Sequence, residues 1–228
     1  MPSPAESREA LIGLTRLAEA DLRRLWVRIA NQPPEAVRDA LMDLLPLLAD
    51  EYGTAAAVMA ADEYDELRLI AEAAGVFTAE PVPPPTSARF EALARWGVDP
   101  LFGSEPNPEA AFVKIAGGMQ RTIADMHRET VVQSSLLDPA ALGWRRVGQG
   151  DNCGFCNMLI GRGDVYSQKG VMFKSHDHCN CVAAAVFQGE DVAYATDLQR
   201  RVSQRRMSDA TRKKNNQRAY EYIRENDL

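Results

Sequence analysis

Apolar residues recur at steps of three and four through residues 5 to 30, which predicts an amphipathic helix with one face turned to a core. Ser3 followed by Pro4 is a start signal for this helix. Its apolar stripe consists of Leu11, Leu14, Ala18, Leu22, Leu25 and Ile29. A stripe of this kind belongs to a core and carries no chemistry of its own.

Two further helices are predicted in the first 75 residues. The second follows the break at residues 31–34, places Pro34 in its first turn, and is interrupted or ended by Gly53 and Thr54. Its apolar positions are Val37, Leu41, Leu44, Leu45 and Leu48. The third covers residues 61–75 and closes on Gly75, a common C-terminal stop. The pattern predicts a helical hairpin or a three-helix bundle.

The middle of the chain alternates a stiff segment with helices. The run PVPPP at residues 81–85 predicts an extended linker, because consecutive prolines cannot continue a helix. A short helix ending at Gly97 follows, and then a long helix from about Pro108 to Ser135. His127 lies on this long helix, where a surface or partly buried position is expected instead of a role as a ligand.

Short β-forming runs appear only after the long helix. The run WRRV, which begins at Trp144, predicts a strand, and Trp144 is expected to pack on the segment that follows. Residues 164–167 and 170–174 predict a β-hairpin, and residues 182–187 predict a third strand. A last helix is predicted from about residue 191 to residue 226.

Composition limits the class of protein. The 228 residues are 46% hydrophobic and 25% charged, which is ordinary for a soluble globular protein, and no apolar run is long enough for a membrane span. The net charge of −6 does not indicate a dedicated nucleic-acid binder. The first 80 residues are acidic and contain no lysine, whereas the last thirty are basic. Such asymmetry is typical of a solvated helix face or of a tail that contacts nucleic acid or an acidic partner.

The candidate chemistry is concentrated in residues 151–187, which hold all four cysteines and two of the three histidines. Cys153 and Cys156 form a C-x2-C pair, and His176, Cys179 and Cys181 form an H-x2-C-x-C group 19 residues further on. Two close ligand pairs separated by such a spacer are typical of one tetrahedral zinc ion. A C-x2-C turn aims two thiolates at one point, and a hairpin can return the second pair to it.

Three other interpretations of the cysteines are weaker than zinc. Unrelated buried cysteines would be scattered along the chain. A disulfide needs an oxidising compartment, and residues 1–24 carry no signal-type apolar core, so export is not expected. A redox C-x-x-C pair normally opens a helix in a βαβ setting, which the pattern does not predict.

Five candidate donors compete for four positions. Cys153 and Cys156 form the first pair, and the second pair is His176 with Cys179 or, alternatively, Cys179 with Cys181. His178 is expected near the site or at the surface. No ligand position is left for a catalytic water, so the site is expected to be structural. The predicted fold class is therefore mainly α with a small zinc-clamped β module, an α+β fold.

The motifs in this segment resemble those of the Mu F-type phage minor head proteins, in the form found in phages of actinobacteria. That family has C-P-x-C, a tyrosine or phenylalanine shortly after a glycine, and H-P-N-C-R-C. The matching stretches here begin at Cys153, Gly163 and His176, with Gly154 and Asp177 in place of the two prolines. The resemblance covers residues 105–190. The chain is accordingly divided into a helical region (1–80), a linker with a short helix (81–104), a minor-head-like domain (105–190) and a basic C-terminal helix or tail (191–228).

The resemblance implies a protein of the phage head interior, made in the bacterial cytoplasm, that contacts the portal, scaffold or major capsid protein and acts in head morphogenesis. It implies no catalysis, no membrane contact and no small-molecule substrate. Two alternatives stay open. One is a nuclease of the HNH or treble-clef type, with His176 or His178 as its base, although no later histidine supplies a second metal ligand. The other is a nucleic-acid-binding zinc module that contacts packaged DNA through its basic tail: Arg200, Arg201, Arg205, Arg206, Lys213 and Lys214.

Overall fold

The computed structural model describes residues 4–148, 153–161, 163–167, 172–188 and 193–194, which form helices around one central helix and a small sheet. The α-helices are α1 (Pro4–Ile29), α2 (Pro34–Leu48), α3 (Thr54–Ile70), α4 (Ser87–Gly97), α5 (Pro108–Leu137) and α6 (Gly154–Gly161). A π-helix (Ala49–Gly53) joins α2 to α3, and a 3-10 turn (Asp99–Leu101) follows α4. The strands are β1 (Ala141–Val147), β2 (Asp164–Tyr166), β3 (Val182–Phe187) and β4 (Ala193–Tyr194). The predicted α+β class is confirmed.

Helix α5 is the element around which the others pack. It is 30 residues long, begins with Pro108 after the cap Asn107, and buries residues on every side, as expected of a helix that neighbours cover all round. The Asn107 side chain accepts a hydrogen bond from the N–H of Ala110 at 2.9 Å, which satisfies a donor that the first turn leaves free. Helices α1, α3 and α4 and strands β1 and β3 all contact α5. The fold therefore brings distant segments together at this helix.

The first three predicted helices are present, with two corrections. The interruption expected at Gly53 is a π-helix that ends at this residue and not a break in the helical path, so residues 34–70 are helical throughout. A Cβ at Gly53 would lie 2.3 Å from Sδ of Met126, so the missing side chain lets this helical stretch approach α5 closely. The third helix ends at Ile70 and not at Gly75, although Gly75 has the left-handed φ of +75° typical of a turn glycine.

The predicted linker is packed against the helices. Ala79 and Val82 are buried. The N–H of Ala79 donates to Asp65 Oδ1 at 2.9 Å, and the N–H of Val82 donates to Thr130 Oγ1 at 3.2 Å. These bonds satisfy backbone groups of an extended segment that has no strand partner. The division of the chain into four regions stays a prediction.

The sheet has the order β3-β1-β2-β4. Strand β1 pairs antiparallel with both β2 and β3, so Trp144 stands opposite Tyr166 on one side and Ala185 on the other. All six residues of β3 are buried, because this strand lies under α1, α3 and α5. The predicted strands at Trp144 and at residues 182–187 are confirmed. Trp144 is buried and stacks on Tyr166 with ring centroids 4.6 Å apart.

Three predictions for the C-terminal part are wrong. The β-hairpin is not formed, because residues 172–174 form no strand and β2 pairs with β1 instead. The segment after Cys153 is a helix, α6, and not only a turn. The terminal helix was expected from residue 191, yet residues 193–194 form β4, parallel to β2. Residues 195–228 lie outside the described residues.

Candidate metal centre

The first half of the cluster is built on the start of α6. Cys153 precedes the helix and Cys156 lies in its first turn. The N–H of Cys156 points at Cys153 Sγ, 3.4 Å away, and the N–H of Asn157 donates to the carbonyl oxygen of Cys153 at 2.9 Å. Free N–H groups at a helix start favour negative charge, so a thiolate is stabilised here. The helix therefore orients the C-x2-C pair.

The second half is the irregular segment of residues 172–181, which we call the knuckle. His178 has a left-handed φ of +62°, so the backbone turns sharply between His176 and Cys179. The Nδ1 of His176 lies 2.8 Å from the carbonyl oxygen of Asp177. A backbone carbonyl on one ring nitrogen orients the ring and leaves the other nitrogen for a metal. That other nitrogen, Nε2, faces Cys153 Sγ at 2.7 Å.

Four donor atoms converge where the two halves meet. Those of Cys153, Cys156, His176 and Cys179 all lie within 4.8 Å of one another. In a tetrahedral zinc site with sulfur ligands at about 2.3 Å, the sulfur atoms lie about 3.8 Å apart. A small movement of the side chains away from one another provides this spacing. Three thiols and an imidazole are also the donors that zinc prefers. These four residues therefore fit a metal ion. They are the ligand set in which His176 and Cys179 form the second pair.

Cys181 lies beside this group and not within it. Its Sγ is 3.0 Å from that of Cys179 and 3.3 Å from that of Cys156. The buried guanidinium of Arg146 donates to Cys181 Sγ at 2.9 Å and to the carbonyl oxygen of Lys174 at 2.7 Å. The same guanidinium lies over the ring of Phe173, 3.7 Å from its centroid. Arg146 thus provides the fifth donor with a cationic partner.

The ionisation of these groups follows from their contacts. For Cys181, hydrogen bonds from Cys156 and Cys179 outweigh burial and, with the guanidinium of Arg146, hold the pKa of its thiol far below the usual value. Burial opposes the Cys153 thiolate, but hydrogen bonds from the N–H of Cys156 and from His176 lower its pKa. The pKa of His176 is raised, chiefly because the carbonyl oxygen of Asp177 accepts a hydrogen bond from its ring. The contacts thus favour the thiolate, the form that binds a metal, at Cys153 and Cys181, whereas hydrogen bonds to Cys179 and Cys181, together with burial, raise the pKa of the Cys156 thiol.

Arg128 of α5 holds the knuckle against the central helix. Its side chain is fully buried and donates from Nε to the carbonyl oxygen of Cys181 at 2.9 Å and from Nη2 to that of Cys179 at 2.6 Å. Its Nη1 pairs with Asp125 Oδ1 at 2.9 Å, and Asp125 also accepts from Ser175 Oγ at 2.8 Å. A buried cation is tolerable when every N–H group has such a partner. The role of Arg128 was not predicted from the sequence, in which the only sign of it is the Asp125-x2-Arg128 pair.

A second close contact between the knuckle and α5 is made at Gly117, three turns before Arg128. A Cβ at this position would lie 2.6 Å from Nε2 of His178 and 3.0 Å from Cβ of Asp177. The glycine therefore lets the knuckle reach the helix backbone. His178 is exposed and rests on this surface, while His176 faces the thiols.

Other residues singled out from the sequence lie elsewhere. His127 is 1% exposed and its Nε2 is 3.2 Å from Glu63 Oε2, so the expected surface or partly buried position is wrong, although it stands apart from the metal group as expected. The six basic tail residues named above fall outside the described residues. Among the described residues, no helix is long and apolar enough to cross a membrane.

Fold and cluster together define the class: a mainly helical α+β protein with a Cys/His cluster suited to a metal ion. The family model described as VG15 protein matches residues 3–210, so the chain belongs to that family. This membership indicates a phage protein. Neither the curated proteins nor the solved structures contain a match. The resemblance to the Mu F type is finer than the family match and stays a prediction.

Proposed function

We propose that this phage protein is a minor component of the head that acts in head morphogenesis through protein–protein contacts, with one structural zinc ion. The family supplies the phage context. The Cys/His segment, from Cys153 to Cys181, supplies the resemblance to minor head proteins. The observation that carries the proposal is the convergence of four protein donors on one point, which leaves no position for a reacting ligand.

The zinc ligands in this proposal are Cys153, Cys156, His176 and Cys179. Cys181 is left outside the coordination sphere because it does not belong to the group of mutually close donors, and its Sγ accepts a hydrogen bond from Arg146 at 2.9 Å. Three thiolates and one neutral imidazole give the zinc site a net charge of −1, and the nearby guanidinium groups offset it. When bound, zinc contributes folding free energy to a segment that is too short to build its own core.

The metal gives the protein a rigid docking element. The knuckle is attached to α5 through the two carbonyl oxygens that Arg128 binds, so an ordered knuckle has a fixed position on the central helix. Its exposed side chains include Met172 at 67% and, on the neighbouring α6, Phe155 at 40%. Exposed apolar side chains on a rigid support are typical of protein contact sites. The partners we expect are the portal, scaffold or major capsid protein, in the head interior.

The test is association with procapsid components. The full chain, tagged and zinc-loaded, is co-expressed with the portal, scaffold and major capsid proteins of the same phage, and the captured proteins are identified. We expect one of the three to be retained and the Cys179→Ser variant to lose it. Cys181→Ser is the matched control, since it removes a neighbouring thiol that the proposal keeps off the metal. Failure of all three proteins to associate with the wild type overturns the proposal.

The nuclease alternative is tested separately. The zinc-loaded chain is incubated with supercoiled plasmid and magnesium or manganese, with His178→Ala as the control variant. The proposal expects no nicking by either protein. Nicking that the His178→Ala change abolishes would replace the structural assignment with an enzymatic one.

A further inference from the structure

We propose that the basic segment of this chain, residues 198–218, docks on the solvent face of its own helices α2 and α3. This inference goes beyond the head-protein proposal and does not depend on the metal. It rests on the exposure and charge of one continuous helical face, on the charge of the segment that follows β4, and on the length of chain that connects them.

The face is a helical surface with no covering element among the described residues. Helix α2, the π-helix and α3 run without a break from residue 34 to residue 70, about 55 Å at 1.5 Å per residue. One side packs on α4, α5 and α1, and the other side is exposed. We call this exposed side the acidic ridge; its carboxylates include Glu35, Asp39, Asp43, Asp50, Asp62 and Glu66.

The charge of the ridge is not balanced from within. Residues 34–70 hold nine carboxylates and two arginines, Arg38 and Arg68. Arg38 pairs with Asp39 at 2.8 Å, and Arg68 pairs with Asp138, off the ridge, at 2.9 Å. Asp43 and Asp62 have no salt-bridge partner in the part of the chain that the structure describes. Like charges at steps of four along a helix repel, so the ridge favours a cationic occupant.

The ridge is also partly apolar, which distinguishes it from an ordinary solvated face. Leu47, Val58 and Leu69 are 66%, 42% and 78% exposed. Val58 and Leu69 are eleven residues apart within α3, about three helical turns, and such a spacing returns to nearly the same side of an α-helix. A partner that lies along the ridge can therefore bury apolar side chains between the carboxylates.

The segment after β4 has the matching chemistry. Residues 198–218 contain eight basic residues and one acidic residue. Arg201 and Arg205 are four residues apart, the same step as Asp39 to Asp43 and Asp62 to Glu66. Leu198 and Val202 are also four apart and supply apolar side chains beside the arginines. The charge of the segment thus complements the ridge, and Leu198 and Val202 offer apolar side chains to its exposed apolar positions.

The covalent connection favours the segment of the same chain as the occupant of the ridge. The last described residue is Tyr194, and an extended chain of about 3.3 Å per residue carries Arg201 about 20 Å and Lys214 about 65 Å from it. A tethered segment acts at a millimolar effective concentration. It therefore competes well against the same segment of a second copy or a free basic partner.

The test uses a zero-length carbodiimide crosslink between lysine amines and carboxylates in the full chain, mapped by mass spectrometry. Lys213 and Lys214 are the reporters on the segment. Lys114 is an internal control, because its Nζ lies 3.9 Å from Asp99 Oδ2 and the pair should crosslink in every sample. We expect Lys213 and Lys214 to crosslink to ridge carboxylates, and these crosslinks to fall in high salt.

Two variants of equal charge change separate docking from general attraction. The double change Asp43→Asn with Asp62→Asn should lower the crosslink yield of Lys213 and Lys214 to the remaining ridge carboxylates by about threefold, because two ion pairs are lost. Glu9→Gln with Glu19→Gln, on the exposed face of α1, should leave it unchanged. Mixing isotopically labelled and unlabelled chains identifies the source of the segment. Three outcomes would overturn the proposal. They are crosslinks between labelled and unlabelled chains, crosslinks of Lys213 and Lys214 mainly to carboxylates off the ridge, and no crosslinks of these two lysines while Lys114 reacts.

Discussion

The Nη2 of Arg128, in the middle of the central helix, donates a 2.6 Å hydrogen bond to the carbonyl oxygen of Cys179 in the knuckle. The two residues are 51 positions apart in the chain. The same guanidinium also binds the Cys181 carbonyl and the Asp125 carboxylate. The metal ligands and the helical core are therefore joined through one buried cation.

Replacing this cation should be costly. Arg128→Met leaves two buried carbonyl oxygens without a donor, so we expect a loss of about 3–5 kcal/mol in the free energy of unfolding. The matched control is Arg121→Met, also on α5, whose side chain is 39% exposed and makes one ion pair with Asp177. It should cost under about 1 kcal/mol. Urea unfolding of the three proteins measures both values, and equal losses would contradict the role of Arg128.

The two neighbouring cysteines should differ in their effect on metal content. Cys179→Ser removes a proposed ligand and should reduce the zinc content from about one ion per chain toward none. Cys181→Ser removes a thiol that Arg146 already binds and should keep the zinc. Metal analysis after dialysis against a weak chelator gives the stoichiometry. Loss of the zinc by Cys181→Ser would identify the other ligand set, in which Cys181 takes the place of His176.

Two helical glycines should respond in opposite ways to alanine. At Gly117 the added methyl group would lie 2.6 Å from His178 Nε2, so Gly117→Ala should push the knuckle from α5 and cost about 1–3 kcal/mol. At Gly13 of α1 nothing lies within 4 Å of the added group. Gly13→Ala should therefore stabilise the protein by about 0.5–1 kcal/mol, the difference in helix propensity. Thermal unfolding compares the two, and stabilisation by Gly117→Ala would refute the close contact.

The pair of Tyr52 and Asp21 should make stability fall at alkaline pH. The hydroxyl of Tyr52 donates to the Asp21 carboxylate, and this bond, followed by burial, raises the pKa of Tyr52 from 10.0 to about 12. A pKa raised by folding stabilises the protein fully below pH 10, and the contribution is lost as the pH rises through about 12. Burial also raises the pKa of Tyr64, so a phenolate absorbance titration should show a late transition of at least two tyrosines, and Tyr52→Phe should remove one tyrosine's share of it. If the Tyr52→Phe protein kept the whole late phenolate signal of the wild type, the hydrogen bond between Tyr52 and Asp21 would be contradicted.

The same hydrogen bond lowers the pKa of Asp21 below 3.8, so its contribution is also lost when acid protonates the carboxylate. Because Asp21 lies at the surface, screening by solvent keeps the effect small. The acid and alkaline limits together define the pH range in which α1 is tied to the π-helix.

The helices and the donor set were predictable because their signals are local. The stripe from Leu11 to Ile29 and the cap and proline at the start of α5 depend on residues within a few turns, and local hydrogen bonds make the helix that the pattern indicates. The two close ligand pairs are likewise local, since only two residues separate Cys153 from Cys156 and His176 from Cys179. A metal cluster could therefore be expected before any fold was known.

Only the tertiary structure decided which donors meet, because that depends on segments brought together across the chain. His176 joins the thiols and Cys181 turns to Arg146, a choice made by the backbone turn at His178 and by a guanidinium 35 residues away. Strand β2 pairs with β1 and not with the segment that follows it, since residues 172–174 form no strand. The contacts that Gly117 and Arg128 make could not be predicted from the sequence, since they come from the knuckle packing on α5. Local hydrogen bonding determines elements from sequence alone, whereas long-range packing determines how they meet.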